Sequence, residues 1–546
     1  MSDFFDRHRP TLTSAAEALL SRAYWTPFPE VPSGKIYGET AKADGEAAFD
    51  ALLGQTFDLP GHPAEAVAGA EVSPFGPELA IRYPRATPDT LIAAANAAAP
   101  ALAAASVEDR MGVCLEALAR LNRMSFLIGN ATMHTTGQAF AMAFQAGGPH
   151  AQDRALEAVA LAHAEMTRFA ASARWEKPQG KAAPIVLDKT WALRPAGIAL
   201  TIGCNTFPTW NSYPGLFASL ATGNPVIVKP HPRAILPLAL TVRVLREVLG
   251  EAGLPADAVL LAVDEPGTEV TKDLATRPEI KLIDYTGSST FGDWLRANAR
   301  QAQLFTEETG VNSVVIAATD DLDGMCANLA FALSLYSGQM CTSPQNIYIP
   351  AGGIATDKGH MSFDQVAGAL VDAIDALLSD PARAAGICGA IANPATAVRV
   401  EAVAAKGRIL RGGARLGDAG PLVLAVDDAQ PEAAEECFGP VAFVIAMPDA
   451  DAAIARAAGL AAEKGAITAA LYDTDESRIA CAEAAFADAG VNLSINLTGN
   501  IYVNQSAAFS DFHVTGANPA GNASLTDTAF VASRFRRVMS RRPAAL

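Results

Sequence analysis

An α/β fold built on a parallel, doubly wound sheet is what this chain predicts, and three observations carry that reading. From Ile198 onward, short apolar runs alternate with segments of helical period, the pattern of strands joined by crossover helices. One of those strands runs into a Gly/Ser/Thr turn that opens a helix, a shape suited to a phosphate group. The 546 residues, 50% hydrophobic and 18% charged, are enough for several domains with large cores.

Taken in order, residues 1–70 read as an irregular arm. Trp25-Thr26-Pro27-Phe28-Pro29 and Pro32-Ser33-Gly34 break helices, which leaves helical pieces at 10–24 and 41–53. After the turn Ser73-Pro74-Phe75-Gly76, alanine-rich helices are expected over 88–174. The longest apolar stretch, 91–106, is interrupted by Asn96 and Pro100 and is too short for a bilayer span. Strands are expected at 198–202, 225–228, 259–263 and 280–285. Between them lie helices at 236–250 and 267–276, and another begins near Phe291.

Charge and cysteine usage exclude some partners. A net charge of −17 disfavours nucleic acid and anionic membranes. Seven scattered cysteines with no CxxC pair fit a reducing compartment, so neither a disulfide framework nor a metal site is expected. Mixed charges at the amino end lead into no apolar core of a signal peptide, and a cytoplasmic location is expected.

Two peptides carry the chemistry. Cys341 sits in Ser337-Gly338-Gln339-Met340-Cys341-Thr342, where small and polar neighbours suit a reactive thiolate better than a core cysteine. Upstream lies Phe305-Thr306-Glu307-Glu308-Thr309-Gly310-Val311-Asn312, whose carboxylate would activate water against a covalent intermediate. Glu308 competes with Glu307 for that role. Neither GxGxxG nor a P-loop is present. Instead the strand at 280–285 enters Thr286-Gly287-Ser288-Ser289-Thr290-Phe291-Gly292, whose free amides suit a pyrophosphate or an ordinary helix cap. Lys229, in Gly223-Asn224-Pro225-Val226-Ile227-Val228-Lys229-Pro230, ends a parallel strand and points into the crevice where ligands of such sheets bind.

With Glu436-Cys437-Phe438-Gly439-Pro440 downstream, the Glu307 and Cys341 peptides resemble, in order, the three hallmark segments of the NAD(P)-dependent aldehyde dehydrogenase superfamily. The resemblance implies that fold: a Rossmann-like cofactor domain (71–174 and 194–306), an α/β catalytic domain (307–500), and small oligomerisation strands within 175–193 and 501–546, nominated at 185–194 and 530–539. It also implies that Thr286, Gly287 and Ser288 hold the cofactor diphosphate, Lys229 the adenosine ribose, and Glu436 and Phe438 the nicotinamide ribose. The family's NAD-preferring members often carry a glutamate three residues after the lysine. Pro232 stands there, after His231, so NADP is the expected cofactor and NAD a possible one. The family's oxyanion asparagine usually directly precedes Phe-Pro. In Cys204-Asn205-Thr206-Phe207-Pro208 it has moved one place upstream, so Asn205 is the expected donor and Thr206 the competitor.

Within the superfamily the chain is similar to the ring-opening branch of phenylacetate degradation, the PaaN and PaaZ type. That likeness implies a CoA-linked semialdehyde as substrate, a homodimer or homotetramer, and a separate enoyl-CoA-hydratase-type protein as partner. CoA-acylating and general aldehyde dehydrogenases are the nearest alternatives, and a non-catalytic scaffold is a remote one. Cys114, Cys326, Cys388 and Cys481 are expected to serve packing.

Overall fold

The computed structural model describes residues 3–268, 270–412 and 420–544. The strand Ile198–Ile202 and its neighbour Val226–Lys229 are buried along their whole length, as strands covered by helices on both faces must be. They belong to a five-stranded parallel sheet ordered Val259–Leu261, Val226–Lys229, Ile198–Ile202, Ile280–Thr286, Gln303–Glu307. The chain starts in the middle of this sheet and winds first one way and then the other. The carboxyl ends of Ile198–Ile202 and Ile280–Thr286 therefore flank its switch point, where such sheets bind ligands.

A second, seven-stranded sheet is parallel except for the edge strand Arg408–Arg411, and has Ser313–Ile316 and Asn346–Pro350 near its middle. Its core and that of the first sheet are separate apolar clusters, which is why a cleft remains between them.

A third sheet, antiparallel, joins Ser172–Gln179, Ala182–Pro195 and Phe535–Pro543. Here the expectations need correction. The helix expected to reach 174 ends at Thr167, because the stretch beyond it is exposed and has no apolar stripe to keep a helix on the core. The strand expected at 530–539 begins only at Phe535, behind the short helix Thr528–Ala532.

The first helix, Phe4–Ser21, starts earlier than expected and lies on Val107–Arg123, with His8 Nε2 2.7 Å from Glu116 Oε2. Behind it, Trp25 meets Phe509 edge-on at 5.3 Å and the Arg22 guanidinium covers the Phe512 ring at 4.2 Å. The arm thus braces the segment that leads to His513. Among the described residues no single helix is long and apolar enough to cross a membrane.

Candidate active site

Both sheets open onto one cavity of about 640 Å³, which runs from Lys229 and His231 at one end to Glu307 and Cys341 at the other. Cys341 is presented by an unusual turn. The helix Leu322–Ser334 ends, and Tyr336, Ser337 and Gly338 all take the left-handed conformation, with φ of 50°, 51° and 62°. Three such residues in a row are costly, and neighbours hold them in place. The Tyr336 hydroxyl donates to Thr136 O at 2.6 Å, Ser337 Oγ to Cys388 O at 3.0 Å, and Asn312 Nδ2 to Cys341 O at 2.8 Å. A Cβ at Gly338 would lie 2.4 Å from Gly439 O, so only glycine fits.

Glu307 ends the edge strand Gln303–Glu307 beside the thiol. Its Oε2 accepts from Asn211 Nδ2 at 3.1 Å, and its Oε1 lies 3.3 Å from His513 Nε2. The same His513 nitrogen is 3.6 Å from Cys341 Sγ. Burial would raise the Glu307 carboxyl, but His513, Cys341 and Asn211 outweigh it and hold it below the ordinary value. The Cys341 thiol is pushed well up, by burial first and by the Glu307 charge second. Glu308 is committed elsewhere: it pairs with Arg296, whose Nη2 donates to Oε2 at 3.0 Å.

Asn205 lines the cavity on the loop after Ile198–Ile202, and its buried Nδ2 has no hydrogen-bond partner among the described residues. The Thr206 carbonyl accepts from Gln138 Nε2 at 2.7 Å. Apolar groups, among them Phe207, Trp210, Tyr336 and Met340, gather next to this thiol end.

At the far end Thr286, Gly287 and Ser288 line the cavity, and Ser288 Oγ caps the helix Ser289–Asn298. Lys229 Nζ lies 2.8 Å from Asp264 Oδ1 and donates to Pro230 O at 2.8 Å. Its pKa is lowered by burial, with Asp264 opposing. His231 is pushed down to about 4 by burial and by the nearby Lys229 and Arg233, so the ring is neutral near pH 7. Glu436 and Phe438 line the opposite wall. Burial raises the Glu436 carboxyl to about 7, and Arg399 Nη1 donates to Phe438 O at 2.7 Å.

Sequence reasoning missed three residues. Asn211 stands four residues after Phe207, one turn into the helix Pro208–Ala221, so helical spacing would have found it. Asp264 follows the strand Val259–Leu261, where the same strand-end logic that found Lys229 applies. His513 lies 172 residues from Cys341 with no motif around it, and nothing local signals it. Of the cysteines expected to pack, Cys114, Cys326 and Cys388 are buried, whereas Cys481 is exposed because it faces outward from its surface helix.

A parallel sheet whose switch point shares a cavity with a half-buried thiol and a buried carboxylate defines an α/β protein of the nucleotide-binding class. The aldehyde dehydrogenase family profile matches residues 68–517, and the chain belongs to that family. Over its full length it is 54% identical to a solved structure described as an NAD-dependent aldehyde dehydrogenase from Burkholderia multivorans, which is covered 100% with a TM-score of 0.98. A 1-pyrroline-5-carboxylate dehydrogenase structure from Thermus thermophilus, 18% identical, shares the fold with a TM-score of 0.73 over 96% of this chain and 99% of that one. Among curated proteins, the N-succinylglutamate 5-semialdehyde dehydrogenase of Burkholderia mallei is 31% identical over 279 residues, 48% of this chain and 54% of the relative. The chain thus spans about half the length of the curated relatives it matches.

Proposed function

We propose that this chain oxidises an aldehyde to a carboxylic acid through a thioester on Cys341, with a nicotinamide dinucleotide as cofactor. The observation that carries the reading is one cavity, reaching a sheet switch point, lined by Cys341, Glu307 and Asn205, whose buried Nδ2 has no partner among the described residues. The Cys341 thiolate adds to the carbonyl carbon. Asn205 Nδ2 and the Cys341 backbone amide receive the developing oxyanion. Glu307 then takes a proton from the water that attacks the thioester, which releases the acid and frees the sulfur. The cofactor, when bound, accepts the hydride. Lys229, Thr286, Gly287, Ser288, Glu436 and Phe438 would hold it, and the paired strand ends they occupy fit a dinucleotide.

For the choice of cofactor, Pro232 removes one carboxylate that would repel a 2′-phosphate, which favours NADP. Two observations weigh the other way. Asp264 already engages Lys229, and His231 is neutral, so neither offers a free charge to a phosphate. The name of the 54% identical structure points in the same direction. NAD is therefore the proposed cofactor, with NADP accepted less well. Rates with each at equal concentration test this.

The proposed substrate class is a semialdehyde. The apolar groups near Cys341 suit the carbon chain at its reactive end, which leaves the second polar group to bind farther out. A CoA-linked semialdehyde from aromatic ring opening is the first reading. A succinylated one is the second, favoured by the names of the curated relatives. The decisive assay compares kcat/KM for a CoA-linked semialdehyde, its hydrolysed counterpart and a succinylated semialdehyde. Equal values for the first two exclude the CoA reading. The three-stranded sheet, exposed along Ser172–Gln179 and most of Phe535–Pro543, is the proposed surface for a homodimer or homotetramer.

A further inference from the structure

We propose that His513 is a catalytic residue: its Nε2 takes the proton of the Cys341 thiol, and the imidazolium that results lets the thiolate and the Glu307 carboxylate coexist in one buried site. This deepens the thioester reading above and rests on it. The S–H bond breaks, an N–H bond forms at Nε2, and the electron pair stays on sulfur.

The geometry is specific. One nitrogen faces both groups, 3.6 Å from Cys341 Sγ and 3.3 Å from Glu307 Oε1, on a side chain almost wholly buried. A thiolate there would stand beside a buried carboxylate, and two like charges at such range do not both ionise without a compensating cation. Among the described residues, His513 alone combines contact with both atoms and the ability to carry positive charge. Its proton, once taken from sulfur, points between the two anions and bonds to each.

The other groups near it do not supply that charge. Trp210 on the helix Pro208–Ala221 meets the imidazole edge-on at 4.5 Å, and Arg154 lies behind Trp210 at 5.2 Å from its ring, paired with Glu157 at 3.0 Å. On its own segment, Asp511 uses Oδ2 to bond Ala507 N. Asn211 is neutral, and Cys204 and Glu436 act on Cys341 only unfavourably. The segment that carries His513 is held from behind, while the buried ring Nδ1 has no hydrogen-bond partner among the described residues. Arg154 Nη1 donates to Asp511 O at 3.2 Å, and Phe509 N donates to Glu157 Oε1 at 3.0 Å.

The test uses the full chain without substrate. Alkylation of Cys341 by iodoacetamide is followed by mass spectrometry between about pH 5 and pH 10, in the parent, His513→Gln and His513→Asn. The parent is expected to react at lower pH than either variant, since only the parent has a cation partner for the thiolate. Both variants are expected to shift the profile up by at least about one unit, roughly a tenfold slower reaction near pH 7. The double variant His513→Gln with Glu307→Gln is expected to move back down, since the carboxylate no longer opposes the thiolate. Profiles that overlay in parent and variants overturn the proposal. A parent in which Cys341 is never alkylated overturns the thioester reading itself, a separate and recognisable result.

Discussion

Replacing Gly338 by alanine perturbs the site without touching any group proposed to react. The new methyl would lie 2.4 Å from Gly439 O and 2.9 Å from Gly439 C, whereas carbon contacts settle near about 3.5 Å, so the two chain segments must part by roughly 1 Å. The residue also holds φ of 62°, which costs an alanine about 1 kcal/mol more than glycine. With the strain of the forced separation, the expected loss of stability is about 2–4 kcal/mol. Cys341 is three residues away on the same turn, and the partner segment carries Glu436 and Phe438, so both ends of the site move. A displacement of about 1 Å at a reacting group lowers turnover about 100-fold. The assay is kcat with excess aldehyde and cofactor, normalised to folded protein, beside the urea midpoint. A Gly338→Ala enzyme with kcat within about threefold of the parent and an unchanged midpoint would refute the reasoning.

Cys341→Ser is expected to abolish oxidation while cofactor still binds, because a serine hydroxyl is not ionised near neutral pH; turnover near the parent rate would remove the nucleophile assignment. Glu307→Gln should give a burst of reduced cofactor and then little turnover, with acyl-enzyme trapped on Cys341, whereas Glu308→Gln, which only frees Arg296, should not; the reverse pattern would exchange the two roles. Glu436 is raised from 4.5 to about 7, so its contribution to stability is present below about pH 4.5 and is lost as pH rises through about 7. Glu436→Gln should therefore match the parent in melting near pH 4.5 and exceed it near pH 8, by at most about 3 kcal/mol, and a gap independent of pH would contradict the buried-carboxyl account. Asp264→Asn releases Lys229 and should raise the NADP to NAD ratio of kcat/KM about tenfold or more, with no change counting against Asp264 as the brake on NADP.

Much of this protein was legible along the chain, for a local reason. The runs at 198–202 and 280–285 are buried strands, because apolar continuity is written in neighbouring residues and the helices that flank them follow at helical period. Cys341, Glu307, Lys229 and the Thr286 to Ser288 turn could be nominated because each lies inside a short peptide whose composition suits the expected chemistry, and all of them line one cavity. What folding alone decided are quantities that depend on distance through space. That Arg296 reaches Glu308, while Glu307 turns to Asn211 and His513, is not written in two adjacent identical letters. That the Asn205 Nδ2 is buried without a partner, while the Thr206 carbonyl accepts from Gln138, is likewise set by neighbours distant in sequence. The strand Ser172–Gln179 forms because Ala182–Pro195 pairs with it, and Phe535–Pro543 completes the sheet from the far end of the chain. His513 arrives beside Cys341 only when the amino-terminal arm and the buried Arg154 hold its segment against the sheet edge. Electrostatic coupling follows separation in space, and 172 residues of chain between His513 and Cys341 leave no trace of a 3.6 Å contact in the order of the letters.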